Sequence, residues 1–200
     1  WAQQKGDLRA AGQWRSRLAQ ASPADGGLQA LDNAKQVAQV PQGQLNLARQ
    51  QVRSGNIPAA LATWHTLFNG DTPPAGLAAE YYLTLASDKA TYARGVAALR
   101  DLSARNPQDN GARVALGKAL TWQEASRREG IALLAPMADG SKEADSGLRQ
   151  ALLWLGPQSG DEPLYETWLQ RHPQDTELQA YYRKNIGGMA KGVGYNALNS

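Results

Sequence analysis

An all-α solenoid of stacked helix pairs is what this sequence predicts, and three observations carry the prediction. The first is the stretch Leu45 to Pro74, LNLARQQVRSGNIPAALATWHTLFNGDTPP, which reads as two short helices around a Gly55-Asn56 turn. Pro58 opens the second helix, and Ala60, Trp64 and Leu67 recur at steps of four and three, which is one helical face. The second is that this order of small and large residues returns along the chain at about the 34-residue period of tetratricopeptide (TPR) repeats. The third is composition: alanine, leucine and glutamine dominate, and no run alternates Val, Ile, Thr and aromatics. The predicted architecture is a right-handed superhelical solenoid with room for about six TPR units.

Taken in order, Trp1 to Pro23 fits the second half of a repeat. Gly6-Asp7 matches Gly55-Asn56, Ala11 matches Ala60, Leu18 matches Leu67, and Pro23 is the exit proline. Before Leu47 the chain then holds about fifteen residues more than the repeat needs. Within them Gly26–Val40 carries Leu28, Leu31, Ala34 and Val37/Ala38 on one face, and Pro41 stops it, so an extra non-TPR helix is expected over about residues 26–40. After the central repeat, Gly76–Asp88 and Thr91–Arg105 form the next pair. Gly95 stands at its tight crossing, Leu99 and Leu102 on its packing face, and Pro107 at its exit.

Asn110–Thr121 pairs with a helix from about Arg127 to Ala138. There Gly130, Leu134 and Met137 repeat Gly95, Leu99 and Leu102 at a separation of 35, and Pro136 should end or kink the last turn. Lys142–Leu155 and Asp161–Arg171 follow, with Asp161 as N-cap, Pro163 in the first turn and Tyr165 and Trp168 as packing aromatics. Asp175–Lys184 is a further helix. Gly187-Gly188 predicts a hinge, and Val193 to Leu198 resembles another first helix. The expected organisation is one array: a partial repeat over 1–25, the extra helix over 26–42, TPR-like repeats over 43–185, and a hinge with a truncated repeat over 186–200. Both ends then fall inside repeats, as in a fragment of a longer solenoid.

Composition narrows the function classes. The chain is 42% hydrophobic, enough for a continuous interhelical core, but no apolar run approaches the ~18 residues of a membrane span. It has no cysteine, which excludes disulfides and Cys-ligated zinc. Net charge is +3, and the basic residues are dispersed without the Lys/Arg block and interleaved aromatics of a nucleic-acid site. Residues 143–177 carry a net −5, which reads as solvated surface before it reads as steering. The two histidines, His65 and His172, stand 107 residues apart, and neither HExxH nor G-x-S-x-G occurs. Glu162 and Glu166 share one helical face, whereas glycoside hydrolysis needs two carboxyls across a cleft. No cofactor and no catalytic residue is expected.

Thirteen of the fourteen aromatics are Trp or Tyr, each with an apolar body and a polar tip. Trp14, Trp64, Tyr92, Tyr165 and Trp168 fall at packing positions of second helices. A different set falls where first helices would line a concave groove: Arg49 and Arg53, Glu80 and Thr84, Lys118 and Trp122, Gln150 and Trp154. Each two are four apart on one face, and Trp122 and Trp154 are 32 apart. These eight are the candidate ligand-facing stripe.

The segment Ala59 to Pro107 carries a more specific likeness. Leu67-Phe68-Asn69-Gly70, Pro73-Pro74, Glu80-Tyr81-Tyr82 and the Ala–Leu run after them resemble the periplasmic TPR region of cellulose synthase operon protein C. The likeness extends less closely from about residue 28 to the end. It implies a non-enzymatic periplasmic scaffold linking the inner-membrane synthase to an outer-membrane β-barrel through which the glucan leaves. Its implied partners are other cellulose-synthesis subunits, with peptidoglycan and the glucan chain as further candidates. The full-length protein would then be anchored in the outer membrane while this stretch is not embedded. A generic peptide-binding TPR adaptor is the alternative, though the sequence lacks a dense basic clamp for acidic peptides.

Overall fold

Helix is the sole regular structure among residues 26–70 and 72–186, which are those the computed structural model describes. The expected partial repeat over 1–25, the hinge at Gly187-Gly188 and the helix from Val193 to Leu198 lie outside these residues. The chain divides into two compact units, Trp1–Asp109 and Asn110–Ser200.

In the first unit the helices are α1 (Gly26–Gln39), α2 (Gln42–Arg53), α3 (Ile57–Phe68), α4 (Ala75–Ala86) and α5 (Tyr92–Arg105). Helices α2 and α3 pair, as do α4 and α5. The first turn forms because Gly55 adopts φ +75° and the Asn56 side chain accepts the Ala59 N–H at 3.3 Å, capping α3. Asn69, left-handed at φ 50°, ends it. The core between the pairs is Leu45, Ala48, Trp64, Leu77, Tyr81 and Leu85. Trp64 is fully buried; it stacks on Phe68 at 5.3 Å and meets Tyr81 edge-on at 6.3 Å.

The extra helix is present, and it packs on α4. A Cβ placed on Gly76 would lie 2.8 Å from both the Asn33 carbonyl oxygen and the Val37 side chain. Gln36 accepts the Ala75 N–H at 3.1 Å, supplying a cap that Pro74 does not. Gln42 in turn donates to the Val37 and Val40 carbonyls, closing the C-terminal end of α1.

At the α4–α5 crossing a Cβ on Gly95 would stand 2.4 Å from the Ala86 nitrogen and 2.7 Å from the Tyr82 oxygen, both backbone. Gly95→Ala is therefore expected to force the pair apart and cost about 1–3 kcal/mol in urea denaturation. Gly43→Ala, with nothing within 4 Å, should be neutral or slightly stabilising. Equal effects of the two would show that the crossing is not tight.

The second unit contains α6 (Asn110–Thr121), α7 (Glu124–Leu134), a 3-10 turn at Ala135–Met137, α8 (Lys142–Trp154), α9 (Glu162–Arg171) and α10 (Thr176–Asn185). Helix α7 starts three residues before the expected Arg127. It ends at Leu134 because Pro136 has no N–H to continue the ladder. Gly117 faces Leu134, and Gly130 faces Gly117 and Thr121, so α6 and α7 pack at close range.

The α8–α9 pair is built differently. The series Ala60, Gly95, Gly130 continues at the same 35-residue step to Tyr165, which is 0% exposed and donates its hydroxyl to the Leu152 carbonyl at 2.9 Å. A phenol where earlier pairs have a small residue holds the backbones apart, and α8 and α9 make few close approaches. Asp161 also departs from expectation. It precedes α9, but its side chain makes no capping bond. The carboxylate instead receives both arms of Arg128, at 2.6 and 2.8 Å, and the Gln158 N–H at 2.7 Å. Two charge-assisted bonds to a nearly buried carboxylate outcompete the local cap, and they hold the Asp161 pKa below its usual value.

Candidate functional site

The eight stripe residues divide by environment. In the first unit Arg49, on α2, grips Glu80, on α4, through two parallel hydrogen bonds of 2.7 and 2.8 Å. Both side chains are about one-third exposed, so the pair contributes at most about 1 kcal/mol of stability, while its fork fixes the two helices laterally. The hydrogen bond from Glu80 raises the Arg49 pKa against the opposing effect of burial. Thr84 is 2% exposed and donates its hydroxyl to the Glu80 carbonyl at 2.9 Å. Arg53 is exposed at the end of α2. Three of these four side chains are thus engaged within the protein.

The second unit differs. Helices α6 and α8 pack against each other, and the Lys118 stem runs across Gly147, whose added Cβ would lie 3.0 Å from the lysine Cγ. At the far end one guanidinium joins the two helices. Arg127 donates from Nε to the Thr121 carbonyl at 2.9 Å and from Nη1 to the Trp154 carbonyl at 2.8 Å. The C-terminal ends of α6 and α8 therefore meet, which makes the helices parallel and places Trp122 and Trp154 beside one staple. Trp154 is 46% exposed, and Trp122, Lys118 and Gln150 are half-buried. No side chain of these four makes a hydrogen bond, ion pair or ring contact with another described residue.

A third constellation carries no signature in the sequence. Arg149, on α8, reaches both oxygens of Asp175 at 2.7 and 2.9 Å and Glu177 at 2.7 Å. Asp175 also accepts the Trp168 indole N–H at 3.1 Å and caps α10 through the Leu178 N–H at 3.1 Å. Arg171 binds Asp139 and Asp145, and His172 stacks on Trp168 at 4.0 Å while its Nε2 lies 3.1 Å from Asp145. Together these groups line an open concavity of about 480 Å³. The Arg149 guanidinium, followed by the Leu178 and Trp168 N–H donors, holds the Asp175 carboxyl at about 2 despite its burial. Burial drives the neighbouring Tyr165 phenol upward. Each cation here already faces a carboxylate, so the cluster acts as a brace between α8, α9 and α10. The partners stand 26 to 28 residues apart in the chain, and no local motif joins them.

Paired helices with an internal brace and an exposed indole ridge define an all-helical tandem-repeat protein. Among the described residues no helix is long and apolar enough to cross a membrane. No protein-family model matches the chain. Its relatives are specific nonetheless: the chain belongs to the family of cellulose synthase operon protein C, of bacterial cellulose synthesis. It is 32% identical over 208 residues to cellulose synthase 1 operon protein C of Komagataeibacter xylinus, an alignment covering 98% of this chain and 16% of that protein. Against cellulose synthase operon protein C of Xanthomonas axonopodis pv. citri it is 37% identical over 139 residues, 68% of this chain and 9% of the relative. Among solved structures it is similar to a crystal structure of the flexible tandem repeat domain from a bacterial cellulose synthase. There the identity is 24% and the TM-score 0.49, over 95% of this chain and 79% of that one. The chain spans well under a fifth of the length of the two relatives from Komagataeibacter and Xanthomonas.

Proposed function

We propose that this chain is a non-enzymatic scaffold segment of a bacterial cellulose-export apparatus. In this reading it lies in the periplasm and helps link the inner-membrane synthase to an outer-membrane β-barrel pore. The observation that carries the reading is the homology to cellulose synthase operon protein C along 98% of the chain. Physical support comes from the repeat architecture: each helix pair rests on its neighbours, so such a chain can present a long surface with little core. The engagement of Arg49, Glu80 and Thr84 inside the first unit supports a structural role there. Arg53, Lys118, Trp122, Gln150 and Trp154 are then the stripe residues that meet partners.

Calorimetric titration of the chain with the periplasmic portion of the cognate synthase tests the proposal. Saturable heat is expected, together with unchanged cello-oligosaccharides after prolonged incubation with the chain. Absence of binding at every accessible concentration would overturn the scaffold reading, as would shortened oligosaccharides.

A further inference from the structure

We propose that the indole ridge of the second unit, Trp122 and Trp154 with Gln150 and Lys118, is a binding platform for an unsubstituted β-1,4-linked glucan chain. The choice of glucan rests on the cellulose-export reading above; the site rests on geometry. The Arg127 guanidinium holds the Thr121 and Trp154 carbonyls at 2.9 and 2.8 Å. The two tryptophans are therefore set at the same ends of adjacent parallel helices. Helices packed side by side have axes about 8–10 Å apart, a span comparable to one disaccharide unit of an extended β-linked chain. A chain crossing the helix ends could thus meet one indole with every second ring.

The chemistry of the four side chains fits that occupant. A β-glucopyranose ring presents axial C–H groups on its faces and hydroxyls around its rim, so it needs flat apolar surfaces flanked by hydrogen-bonding groups. Trp154 supplies an exposed face at the end of α8, and Trp122 supplies a half-buried one at the end of α6. Both indole N–H groups, the Gln150 amide and the Lys118 ammonium have no hydrogen-bond partner among the described residues. One turn before each tryptophan, Gln150 and Lys118 stand at i−4 and so share its helical face. Three of the four side chains are uncharged, although the chain over residues 143–177 carries a net −5. This is a nearly neutral patch beside an acidic surface, suited to a neutral polyol. It is poorly suited to an anionic peptide.

The test is calorimetric titration of the 200-residue chain with cellohexaose, with a soluble peptidoglycan fragment and with the periplasmic portion of the synthase as parallel arms. Saturable binding of cellohexaose is expected, weakened about tenfold by Trp154→Ala and further by Trp122→Ala, the effect of truncating an anchoring indole. Trp154→Phe should recover part of the loss, because it restores an apolar face. Gln150→Ala provides a second readout that leaves both indoles in place, with an expected weakening of a few fold. Thermal unfolding of each variant separates a folding defect from a binding defect. No binding of cellohexaose to the wild-type chain overturns the platform, and so does unchanged affinity in the folded double-alanine variant. Peptidoglycan binding that depends on the two tryptophans, without cellohexaose binding, overturns the glucan assignment. Synthase binding that survives while cellohexaose binding is absent leaves the scaffold reading standing; loss of both removes it.

Discussion

Replacing Trp64 with alanine is expected to destabilise the first unit by about 3–5 kcal/mol, the range for removing a large aromatic from a closed core. Trp64 is 0% exposed and sits where α3 meets α4, between Phe68 and Tyr81. Phe68 and Tyr81 also meet each other, edge to face at 5.3 Å, and Tyr81 touches Tyr82 at 5.5 Å. Losing the indole therefore opens a cavity and frees three other rings. Trp64→Phe separates volume from polarity. The Trp64 Nε1 is buried without a hydrogen-bond partner among the described residues, so phenylalanine removes an unsatisfied donor while keeping a ring. Its cost should be about 1 kcal/mol. Urea denaturation followed by near-ultraviolet circular dichroism of this cluster would measure both, and a loss below about 1 kcal/mol for the alanine variant would show that the core closes over the gap.

The second large effect belongs to Asp175. Asp175→Ala removes the acceptor shared by Arg149, Trp168 and the Leu178 N–H, and about 3 kcal/mol is expected from the stranded guanidinium, indole and helix cap together. The same carboxylate makes stability depend on acid. Its folded pKa is about 2 against 3.8 in an unconstrained chain. A depressed pKa contributes stability that is fully present above the unfolded value and is lost as pH falls through the folded one. That contribution is about 2 kcal/mol, complete by about pH 5 and gone near pH 2. Denaturation midpoints between those limits should fall more steeply for the wild-type chain than for Asp175→Asn. Parallel curves would place the acid sensitivity elsewhere.

The sequence announces its helices more clearly than its side-chain partnerships. Turn residues and prolines mark most boundaries: Asn56 caps α3, and Pro136 ends α7 early. The 35-residue spacing of Gly95 and Gly130 identifies two close crossings because a missing side chain has a single geometric consequence. Long ionic side chains carry no such marker. Asp161 has the local signature of an N-cap, yet it is claimed by Arg128 from 33 residues away. Arg49 and Glu80, assigned to one stripe by periodicity, lie close enough to bind each other. Thr84 has the right helical phase for a surface but faces neighbours that periodicity does not reveal. Trp122 and Trp154 are legible as a recurring pair, whereas the arginine that ties their helix ends lies on a third helix.

The docking of α1 on α4 bears on how freely the parts of this molecule could be recombined. Helix pairs in repeat proteins are often treated as exchangeable bricks, because each satisfies the same neighbour on either side. Here Gly76 leaves a recess shaped to the Asn33–Val37 stretch, and Gln36 supplies the cap for the helix that carries it. Moved elsewhere without α1, the α4–α5 pair would expose a bare backbone notch and an uncapped amide. An irregular helix between two regular repeats thus turns one brick into a keyed part with a fixed address in the order of assembly.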